Sequence, residues 1–483
     1  MKLKRYLIIL YLIFCILSSP IAYANDYIQI PGLIDLRSTF SDGSYSIEEL
    51  VNMAKNRGLE VVIFTDHDHV EMEYGLFPFR HIIKRRVEKP SVLKIGAENY
   101  LNKIKEVGYK YPEMILIPGV ESAPFYYWTG SILKGNLTAH NWEKHILIIG
   151  LEKPEDYNNL PILSGGFSTK YVSQFLPATL LIIVSVFFSI FLIRCRGIYR
   201  KIGIIVFILS LLLIINYHPF KSSMFDQYHG DQGILPYQEL INYVNEKGGM
   251  TFWSHPESKS GIDKKGRIHV NTPPHPDDLV KAMGYTGFAA LYGDNITVTE
   301  PYGQWDTVLQ EYCLGKRAKP AWGISGADYH SEAGGKLGEF PTIFMVKEKT
   351  KEEVLSALKN GRMYVCQGSI DYRLSLDEFT VSDPSTHSQA TVGGEISAKG
   401  SPVLEIKLSS SDKKNYTIQG RIIRSGKLIN TFSGTTPLEY TYRDNYFNPN
   451  DKIYYRIDVK GPGMLVSNPI FVRFIGEGKG DSL

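Results

Sequence analysis

Cysteine is scarce in this sequence, and neither sign of charge dominates it. Four cysteines occur among 483 residues, and none has the Cys-x-x-Cys spacing that is typical of thiolate zinc sites. Lysine and arginine number 53 against 50 aspartates and glutamates, so the chain lacks the strongly basic face that nucleic-acid binding requires. We therefore expect neither a thiolate zinc site nor stable nucleic-acid binding.

Long apolar runs are confined to two regions, and the first of them is the N-terminus. The mean hydropathy is slightly negative, which excludes a polytopic membrane protein. A basic start at residues 2–5 precedes an apolar run from Tyr6 to Leu17, and Ala22-Tyr23-Ala24 follows it. This pattern is typical of an export signal over residues 1–24 and not of folded structure.

The second region holds two apolar stretches, about 175–193 and 202–217, which are separated by the basic residues of segment 194–201. Each stretch is near the length that crosses a bilayer. The positive-inside rule places the basic loop in the cytoplasm, so we expect two transmembrane helices and a main body in the periplasm or at the cell surface. The alternative is a buried helical hairpin in a soluble core. Outside the cytoplasm, Cys313 and Cys366 could form a disulfide, although their spacing does not establish one.

Short apolar runs alternate with helical patterns up to about residue 365, which predicts β/α units around a parallel sheet. The apolar hairpin falls between the fourth and fifth strands, so residues 175–217 interrupt a domain of residues 25–367. Residues 368–483 show strands without helices and a hairpin turn at Ser425-Gly426, which predicts a small all-β sandwich. The predicted strands before that tail are Leu33–Leu36, Val61–Thr65, Met114–Pro118, Ile146–Ile149, Met250–Ser254, Gly287–Leu291 and Trp322–Ser325.

Polar side chains of the metal-ligand type recur at the ends of these strands. Active sites of α/β barrels gather at the C-terminal strand ends, so we expect these side chains to converge, although any one of these histidines alone is more often structural. His145 is the exception to the pattern, because it leads its strand. Neutral imidazoles and carboxylates suit Zn, Mn or Fe. The residues are Asp42, His67, Glu121, His145, His255, Asp328 and His330.

Several stretches resemble the ordered motifs of the PHP (polymerase and histidinol phosphatase) superfamily. The resemblance covers about residues 30–365 apart from the apolar hairpin, and the most similar branch is that of the exported CehA/McbA-like metallohydrolases. Asn468-Pro469-Ile470 in the tail also resembles that branch. The motifs are Ile34-Asp35-Leu36-Arg37-Ser38-Thr39-Phe40-Ser41-Asp42-Gly43, Thr65-Asp66-His67-Asp68, Gly119-Val120-Glu121, the strand-leading His145, Ser254-His255-Pro256 and Ala327-Asp328-Tyr329-His330.

The resemblance implies a distorted seven-stranded β/α barrel that holds up to three metal ions. In the family these ions activate water for the hydrolysis of phosphoesters or, in some relatives, of carbamates or other esters. The metal positions that it implies are Glu121 with His145 and His255, then Asp42 with His67 and His330, and a third that uses Asp328 and Glu121.

The first motif departs from the family pattern, which has His-x-His where this chain has Asp35-Leu36-Arg37. Asp35 can still ligate a metal, but the guanidinium of Arg37 has no lone pair to give. We therefore expect about one or two divalent ions per chain. Two roles remain open for Arg37. It is either a fixed charge that binds the oxygens of an anionic substrate, or a group that neutralises Asp35, Asp328 and Glu121 in an inactive site.

Three functions follow from these features. The leading prediction is a phosphoesterase that acts with metal-activated water on a nucleotide or another small anionic, phosphorylated compound, with Arg37 and Asp328 as the catalytic residues. The second is a hydrolase of esters, amides or carbamates. The third, suggested by Arg37, is a catalytically silent membrane protein that binds a ligand. His69 and His140 lie near the ligand motifs and are weaker candidates, for orienting ligands or donating protons; the more frequent role of such histidines is that of solvated loop residues.

Overall fold

A computed structural model describes residues 27–258, 261–265, 268–293, 297–369 and 371–475, with the side chains of 261–265 left out. The predicted export signal lies outside the described residues. The helices are α1 (Ile47–Asn56), α2 (Val92–Ile95), α3 (Ala97–Lys110), α4 (Pro154–Asn158), α5 (Val172–Arg194), α6 (Ile198–Asn216), α7 (Leu235–Glu246), α8 (Asp278–Lys281), α9 (Gln304–Cys313) and α10 (Lys351–Asn360), with a 3-10 turn at Ile132–Lys134.

Strands make up most of the remaining regular structure. The first group is β1 (Ile28–Leu36), β2 (Val61–Phe64), β3 (Glu71–Gly75), β4 (Lys84–Glu88), β5 (Ile115–Ser122), β6 (Tyr127–Thr129), β7 (Thr138–His140), β8 (Ile146–Ile149), β9 (Met250–Trp253), β10 (Gly261–Lys265), β11 (Ile268–Thr272), β12 (Gly287–Leu291), β13 (Trp322–Ser325), β14 (Thr342–Val346) and β15 (Met363–Gln367). The C-terminal group is β16 (Leu374–Asp383), β17 (Ser388–Thr391), β18 (Glu395–Ala398), β19 (Val403–Ser410), β20 (Thr417–Arg424), β21 (Lys427–Thr435), β22 (Leu438–Arg443), β23 (Lys452–Lys460), β24 (Met464–Ser467) and β25 (Ile470–Phe474).

The seven strands predicted before the tail are present as β1, β2, β5, β8, β9, β12 and β13. They lie in one sheet in the order β13-β12-β9-β8-β5-β2-β1-β14-β15. Two of them are longer than predicted because they have further partners. The segment Ile28–Gly32 of β1 pairs antiparallel with β14, and Gly119–Ser122 of β5 pairs with β8.

Strand β8 departs from the predicted parallel sheet. It runs antiparallel to both β5 and β9, whereas β1, β2 and β5 run parallel to one another and so do β9, β12 and β13. The beginning of an antiparallel strand lies at the same sheet edge as the ends of its parallel neighbours. His145, directly before β8, therefore lies at that edge, and its exceptional position in the sequence has a structural reason.

The two ends of this strand series approach each other through the segment that follows β13. The backbone N–H of Arg37 donates to the carbonyl of Tyr329 at 2.9 Å, Tyr329 N–H donates to Asp35 at 3.0 Å, and Ala327 N–H donates to Ile34 at 3.1 Å. These bonds bring the end of β1 beside the Asp328 motif. The hydrogen-bonded strand order itself is an open path, so the predicted seven-stranded barrel stays a prediction.

Helix α1 follows the loop that carries Asp42. Its N-terminus is fixed by a capping box, in which Ser46 Oγ accepts a hydrogen bond from Glu49 N–H and the Glu49 carboxylate accepts one from Ser46 N–H. Apolar residues recur at helical spacing on its inner side. Those buried residues are Ile47, Leu50, Val51 and Ala54.

Helices α5 and α6 form an antiparallel apolar pair inserted between β8 and β9, as the sequence predicted. Both are long and apolar enough to cross a membrane. Only 11% of the residues in an apolar 18-residue stretch of each helix are buried. A buried hairpin in a soluble core does not fit this exposure, because a core helix hides its apolar surface. The connection between them is shorter than predicted, residues 195–197, because Arg194 ends α5 and Arg200 and Lys201 lie in the first turn of α6.

The C-terminal part is rich in sheet. Strands β17-β16-β19-β22 form a separate four-stranded sheet, while β24, β23, β20 and β21 continue the large sheet beyond β15. Side chains from both sheets share one apolar core, which includes Phe379 and Ile457. The predicted turn is present, because Arg424 pairs with Lys427 across Ser425 and Gly426, whose φ angles of 45° and 84° suit a two-residue hairpin.

Cys313 and Cys366 are free thiols in the described structure. The Cys366 thiol is buried and donates a weak hydrogen bond to the carbonyl of Leu374. Burial raises the pKa of both thiols to about 12. The disulfide that the sequence left open is therefore not formed here.

Candidate metal centre

One cleft of about 770 Å³ collects the eight predicted metal-site residues. It lies at the edge of the sheet where β2, β5, β9 and β13 end and β8 begins. Their convergence agrees with the expectation drawn from the strand ends, and their roles as ligands stay a prediction. The eight residues are Asp35, Asp42, His67, Glu121, His145, His255, Asp328 and His330.

A first group of possible ligands surrounds the carboxylate of Asp42. Asp42 Oδ2 lies 3.6 Å from His67 Nε2 and 3.5 Å from His330 Nε2, and the three ligand atoms are close enough to share one ion. Burial opposes charge on Asp42, but the two imidazoles outweigh it and lower the pKa of the carboxyl below its usual range. The same pairing overcomes burial at His330 and raises its pKa to about 9.

The orientation of His330 is set by its other ring nitrogen. His330 Nδ1 lies 2.8 Å from the backbone carbonyl of Asp328, which can only accept, so the ring donates a proton there. In the neutral ring this leaves the lone pair on Nε2, toward Asp42. A backbone carbonyl that fixes the tautomer of a histidine is a common arrangement at metal sites.

A second group surrounds Glu121 at the end of β5. Glu121 Oε2 lies 3.3 Å from His145 Nδ1, Glu121 Oε1 lies 3.7 Å from His255 Nε2, and these two imidazole nitrogens are 3.2 Å apart. His67 Nδ1 lies 3.3 Å from Glu121 Oε2, which joins the two groups. Burial raises the pKa of Glu121 to about 7 against the opposing charge of Arg37. Burial also lowers the pKa of His145, helped by the neighbouring imidazoles.

Glu121 is a buried carboxylate short of hydrogen bonds. Its side chain is 1% exposed, and among the described residues no donor makes a well-aligned hydrogen bond to either of its oxygens. Buried carboxylates are normally paired, hydrogen-bonded or bound to metal, and the charged partner of Glu121 Oε2 here is Arg37. With two imidazole nitrogens facing the same oxygens, this donor set fits a divalent transition metal.

Arg37 lies beneath the cleft, fully buried among acceptors. Its Nη1 donates to Asp35 Oδ1 at 2.7 Å and to the carbonyl and hydroxyl of Thr65 at 2.6 and 2.7 Å. Its Nη2 pairs with Glu121 Oε2 and lies 3.4 Å from Asp328 Oδ1. Burial opposes the charge, but these carboxylates outweigh it and raise the pKa of Arg37. The guanidinium thus contacts Asp35, Glu121 and Asp328. These are the carboxylates that the sequence suggested it neutralises, and two of them, Glu121 and Asp328, are also those expected at a third metal position.

Asp66 organises the loop that carries Asp42. Its carboxylate accepts hydrogen bonds from Ser38 N–H at 2.7 Å, from Ser38 Oγ at 2.8 Å and from Ser41 Oγ at 2.7 Å. Because Asp66 directly precedes His67, one short segment positions two members of the first ligand group. The sequence contained this residue in a motif without indicating what it binds.

Three cleft residues have positive φ angles, which residues other than glycine rarely adopt. The φ angles are 75° at Asp35, 24° at His255 and 41° at Asp328. Left-handed angles at residues other than glycine cost roughly 1–3 kcal/mol each and cluster at functional sites. Their coincidence in one cleft supports a functional role for this region.

Several other residues near the cleft gave no signal in the sequence, because the loops that bring them there carry no motif. Glu143, His275 and Tyr292 line the cleft. Burial lowers the pKa of His275 to about 3. Of the weaker candidates, His69 is held between the Asp68 carboxylate and the carbonyl of Leu163 at 3.1 and 3.0 Å.

His140 lies on β7 and makes its contacts outside the two ligand groups. Its ring stacks on Tyr127 with centroids 4.8 Å apart, and its Nε2 bonds the hydroxyl of Thr129 at 2.7 Å. Burial lowers the pKa of His140. These contacts account for its position without a role in metal binding.

Residues 35–168 match the family model of the PHP domain. The PHP match begins at Asp35, ends shortly before α5, and includes Asp42, His67, Glu121 and His145. It confirms the predicted resemblance at the level of a PHP domain over this segment. No curated protein matches the chain.

Among the solved structures that share weak similarity with this chain are two bacterial proteins. One is a two-domain protein from Bacteroides vulgatus ATCC 8482 containing a predicted PHP-like metal-dependent phosphoesterase; it is 12% identical, with 92% of this chain and 96% of that chain covered and a TM-score of 0.34. The other is a proposed metal-dependent phosphoesterase from Bifidobacterium adolescentis ATCC 15703, 14% identical, with 64% and 91% covered and a TM-score of 0.29. At these scores neither structure supports a conclusion about this chain beyond the match to the PHP domain.

Proposed function

We propose that this protein is a metal-dependent phosphoesterase attached to the membrane by α5 and α6, with its reaction centre in the cleft. The observation that carries the proposal is the pair of adjoining ligand groups, one around Asp42 and one around Glu121, joined by His67. The match to the PHP domain supports it. The proposal includes the CehA/McbA-like branch, a PHP-type domain over residues 25–367, a β-sandwich over 368–483, and an extracytoplasmic location.

The two groups would hold about one or two divalent ions, since Zn, Mn and Fe accept mixed imidazole and carboxylate ligands. Asp42, His67 and His330 would hold one ion, and Glu121, His145 and His255 the other. In the first group His67 Nε2 faces Asp42 while its Nδ1 faces Glu121, so the Nδ1 proton can orient the Glu121 carboxylate. A bound ion supplies a Lewis acid and lowers the pKa of water toward neutrality.

The charges in the cleft explain why the ions would be needed for an anionic substrate. Carboxylates from Asp35, Glu121 and Asp328 meet there with Arg37 as their buried counter-charge, and Asp42 adds a fourth carboxylate beside His330. An anion entering the metal-free cleft would face net negative charge, and two divalent ions would offset it. We therefore propose a small phosphorylated compound or nucleotide as the substrate, bound only when metal is present.

A silent binding protein is the second candidate function, and the burial of Arg37 favours it. The guanidinium has no exposed surface and directs its donors at protein acceptors, so a substrate cannot reach it without a rearrangement. The family pattern has His-x-His where this chain has Asp35-Leu36-Arg37. If that histidine pair is essential for turnover, the cleft of this protein would bind metal or an anion without hydrolysing it.

The deciding experiment combines metal analysis with phosphate release. The purified full-length chain should contain about one or two transition-metal ions per chain, release phosphate from a phosphomonoester or cleave a phosphodiester, and lose that activity on chelation. His255→Ala and Asp42→Ala should each empty one position. His229→Ala, which removes an exposed histidine elsewhere, should keep both.

The outcomes separate the candidates. If the protein binds metal and hydrolyses carboxylic esters or carbamates but no phosphoester, the proposed metal centre stands and the proposed type of substrate bond is wrong. Metal without hydrolysis of any of these substrates would support the silent protein. Full metal content in both ligand variants would show that the ligands are misassigned.

A further inference from the structure

The loop between β3 and β4 exposes apolar residues beside the end of the apolar helix pair. Phe77 is 79% exposed and Leu76 is 53% exposed. The loop is fixed to the last residue of α6, because His81 N–H donates to Asn216 Oδ1 at 2.9 Å and Asn216 Nδ2 donates to the carbonyl of Pro78 at 3.4 Å. The exposed apolar side chains therefore lie at the level where α6 ends.

A second, independent segment places another exposed aromatic side chain near the same end of the pair. Phe167 precedes α5, is 73% exposed, and stacks on Phe220 with ring centroids 4.4 Å apart. Tyr217, the residue after α6, is also exposed. Aromatic residues at the ends of membrane-spanning helices are typical of the interfacial layer of a bilayer.

Cationic side chains flank these apolar residues. The Lys221 ammonium lies 5.2 Å from the ring centre of Phe175 in the first turn of α5, and the Arg80 guanidinium lies 4.2 Å from the ring centre of Tyr228. Arg85 on β4 is exposed. Long basic side chains with apolar stems beside rings suit the headgroup region, where lipid phosphates are the counter-ions.

The β3–β4 hairpin is attached to the body of the protein through β3. This strand packs against Tyr126 and Trp128, whose side chains bond the backbone of Glu73, whereas all five residues of β4 are exposed. Its inner charges are satisfied, since Glu73 pairs with Lys84 and Glu71 with Arg86. What remains largely exposed is the apolar tip, whose Phe77 ring lies 5.8 Å from the Arg80 guanidinium and which a bilayer interface would cover.

We propose that residues 76–83 and Phe167 form a membrane collar that inserts into the interfacial layer of the bilayer around the ends of α5 and α6. The inference rests on the proposed membrane attachment and extends it to a second contact. Phe77 in the collar lies ten residues along the chain from His67, which bounds the distance between their Cα atoms at about 36 Å. The contact would hold the cleft near the membrane surface.

The test uses the full-length chain in lipid nanodiscs with an environment-sensitive NBD fluorophore on a single introduced cysteine. Phe77→Cys reports the collar. Leu314→Cys is the matched control, because Leu314 is an apolar residue 71% exposed at the end of α9. The background carries Cys15→Ser, Cys195→Ser and Cys313→Ser, and the buried Cys366 is retained.

At position 77 we expect blue-shifted emission and roughly twofold quenching by lipids that carry a doxyl group near the headgroup, since interfacial segments lie about 5–10 Å into that boundary. At position 314 we expect emission typical of water and quenching by aqueous iodide. An iodide-quenched probe at position 77, unaffected by doxyl lipid, would overturn the collar. Replacing anionic by zwitterionic lipid should weaken the quenching at position 77, because the basic side chains beside the collar then lose the net negative charge of the headgroups.

Other occupants give different results. Shielding of position 77 only in discs that hold two chains would assign the surface to a second copy and overturn the lipid contact. A chain that does not enter nanodiscs would refute the membrane attachment and the collar together. Entry with a water-exposed probe would refute the collar alone and leave the phosphoesterase proposal to its own assay.

Discussion

Arg37 Nη2 and Glu121 Oε2 form an ion pair in which the two side chains are 0% and 1% exposed. The same guanidinium contacts Asp35 and Asp328. Removing one partner of a buried pair is costly because the other charge stays buried without compensation. Arg37 therefore sets the charge beneath the cleft, and its replacement tests both the stability of the fold and the number of ions that the cleft accepts.

We expect Arg37→Met to lower the free energy of unfolding of the metal-free protein by roughly 3–5 kcal/mol. Added Mn²⁺ or Zn²⁺ should restore part of this loss and raise the ion count above that of the wild type, because the freed carboxylates are cation ligands. Denaturant unfolding in detergent and metal analysis by mass spectrometry measure the two effects.

Arg456 provides the matched control for that experiment. It is fully buried and pairs with Asp306 at 2.8 Å, but it lies on β23, in the sheet-rich C-terminal part. Arg456→Met should cause a similar loss of stability and leave the ion count unchanged. If Arg37→Met kept its stability and ion count but lost turnover, the role of Arg37 as a substrate clamp would be favoured instead.

Metal binding should release protons near neutral pH. In the ion-free protein the pKa of Glu121 is raised to about 7 and that of His330 to about 9, so below these values an ion must displace a proton from each group. Affinity should increase as the pH rises from about 6 to about 9 and decrease as it falls. Calorimetry in two buffers of different ionisation enthalpy counts the protons, and an affinity independent of pH would contradict this expectation.

Asp66→Asn should weaken the first ligand group more than the second. The change alters the acceptor for Ser38 and Ser41, and loss of such supporting bonds commonly lowers metal affinity by about 10-fold or more. Titration with Mn²⁺ should show weaker binding at one site. Asp383→Asn is the control, because Asp383 organises a loop in the C-terminal part through Ser385 and the N–H of Lys399. Equal losses in both variants would indicate a general loss of stability.

The topology of the apolar pair is testable in cells. A reporter at Gly197, between α5 and α6, should report the cytoplasm, and one after Gly368 should report the outside, because the basic residues 194–201 favour the cytoplasmic side. Reporters with the opposite result at both positions would reverse the orientation, and the collar would then face the other leaflet.

Much of the local structure could be predicted from the sequence. The seven strands, the apolar helix pair and the turn at Ser425 and Gly426 each depend on a pattern within a short segment. The predicted site residues also converge, because side chains at strand ends meet at one edge of a sheet. By contrast, the hairpin of β3 and β4 was not predicted. Glu71 and Glu73 face inward there and are neutralised by Arg86 and Lys84, so no apolar alternation marks the strands.

The sequence by itself determined which ligand-type residues would meet in one cleft, because they follow or lead apolar runs that any strand of that composition would form. Only the tertiary structure decided how they meet. The antiparallel direction of β8 brings His145 to Glu121, and the pairing of Arg37 with Glu121 and Asp328 joins side chains far apart in the chain. Strand direction and ion pairing depend on neighbours distant in sequence, and a local pattern holds no information about them.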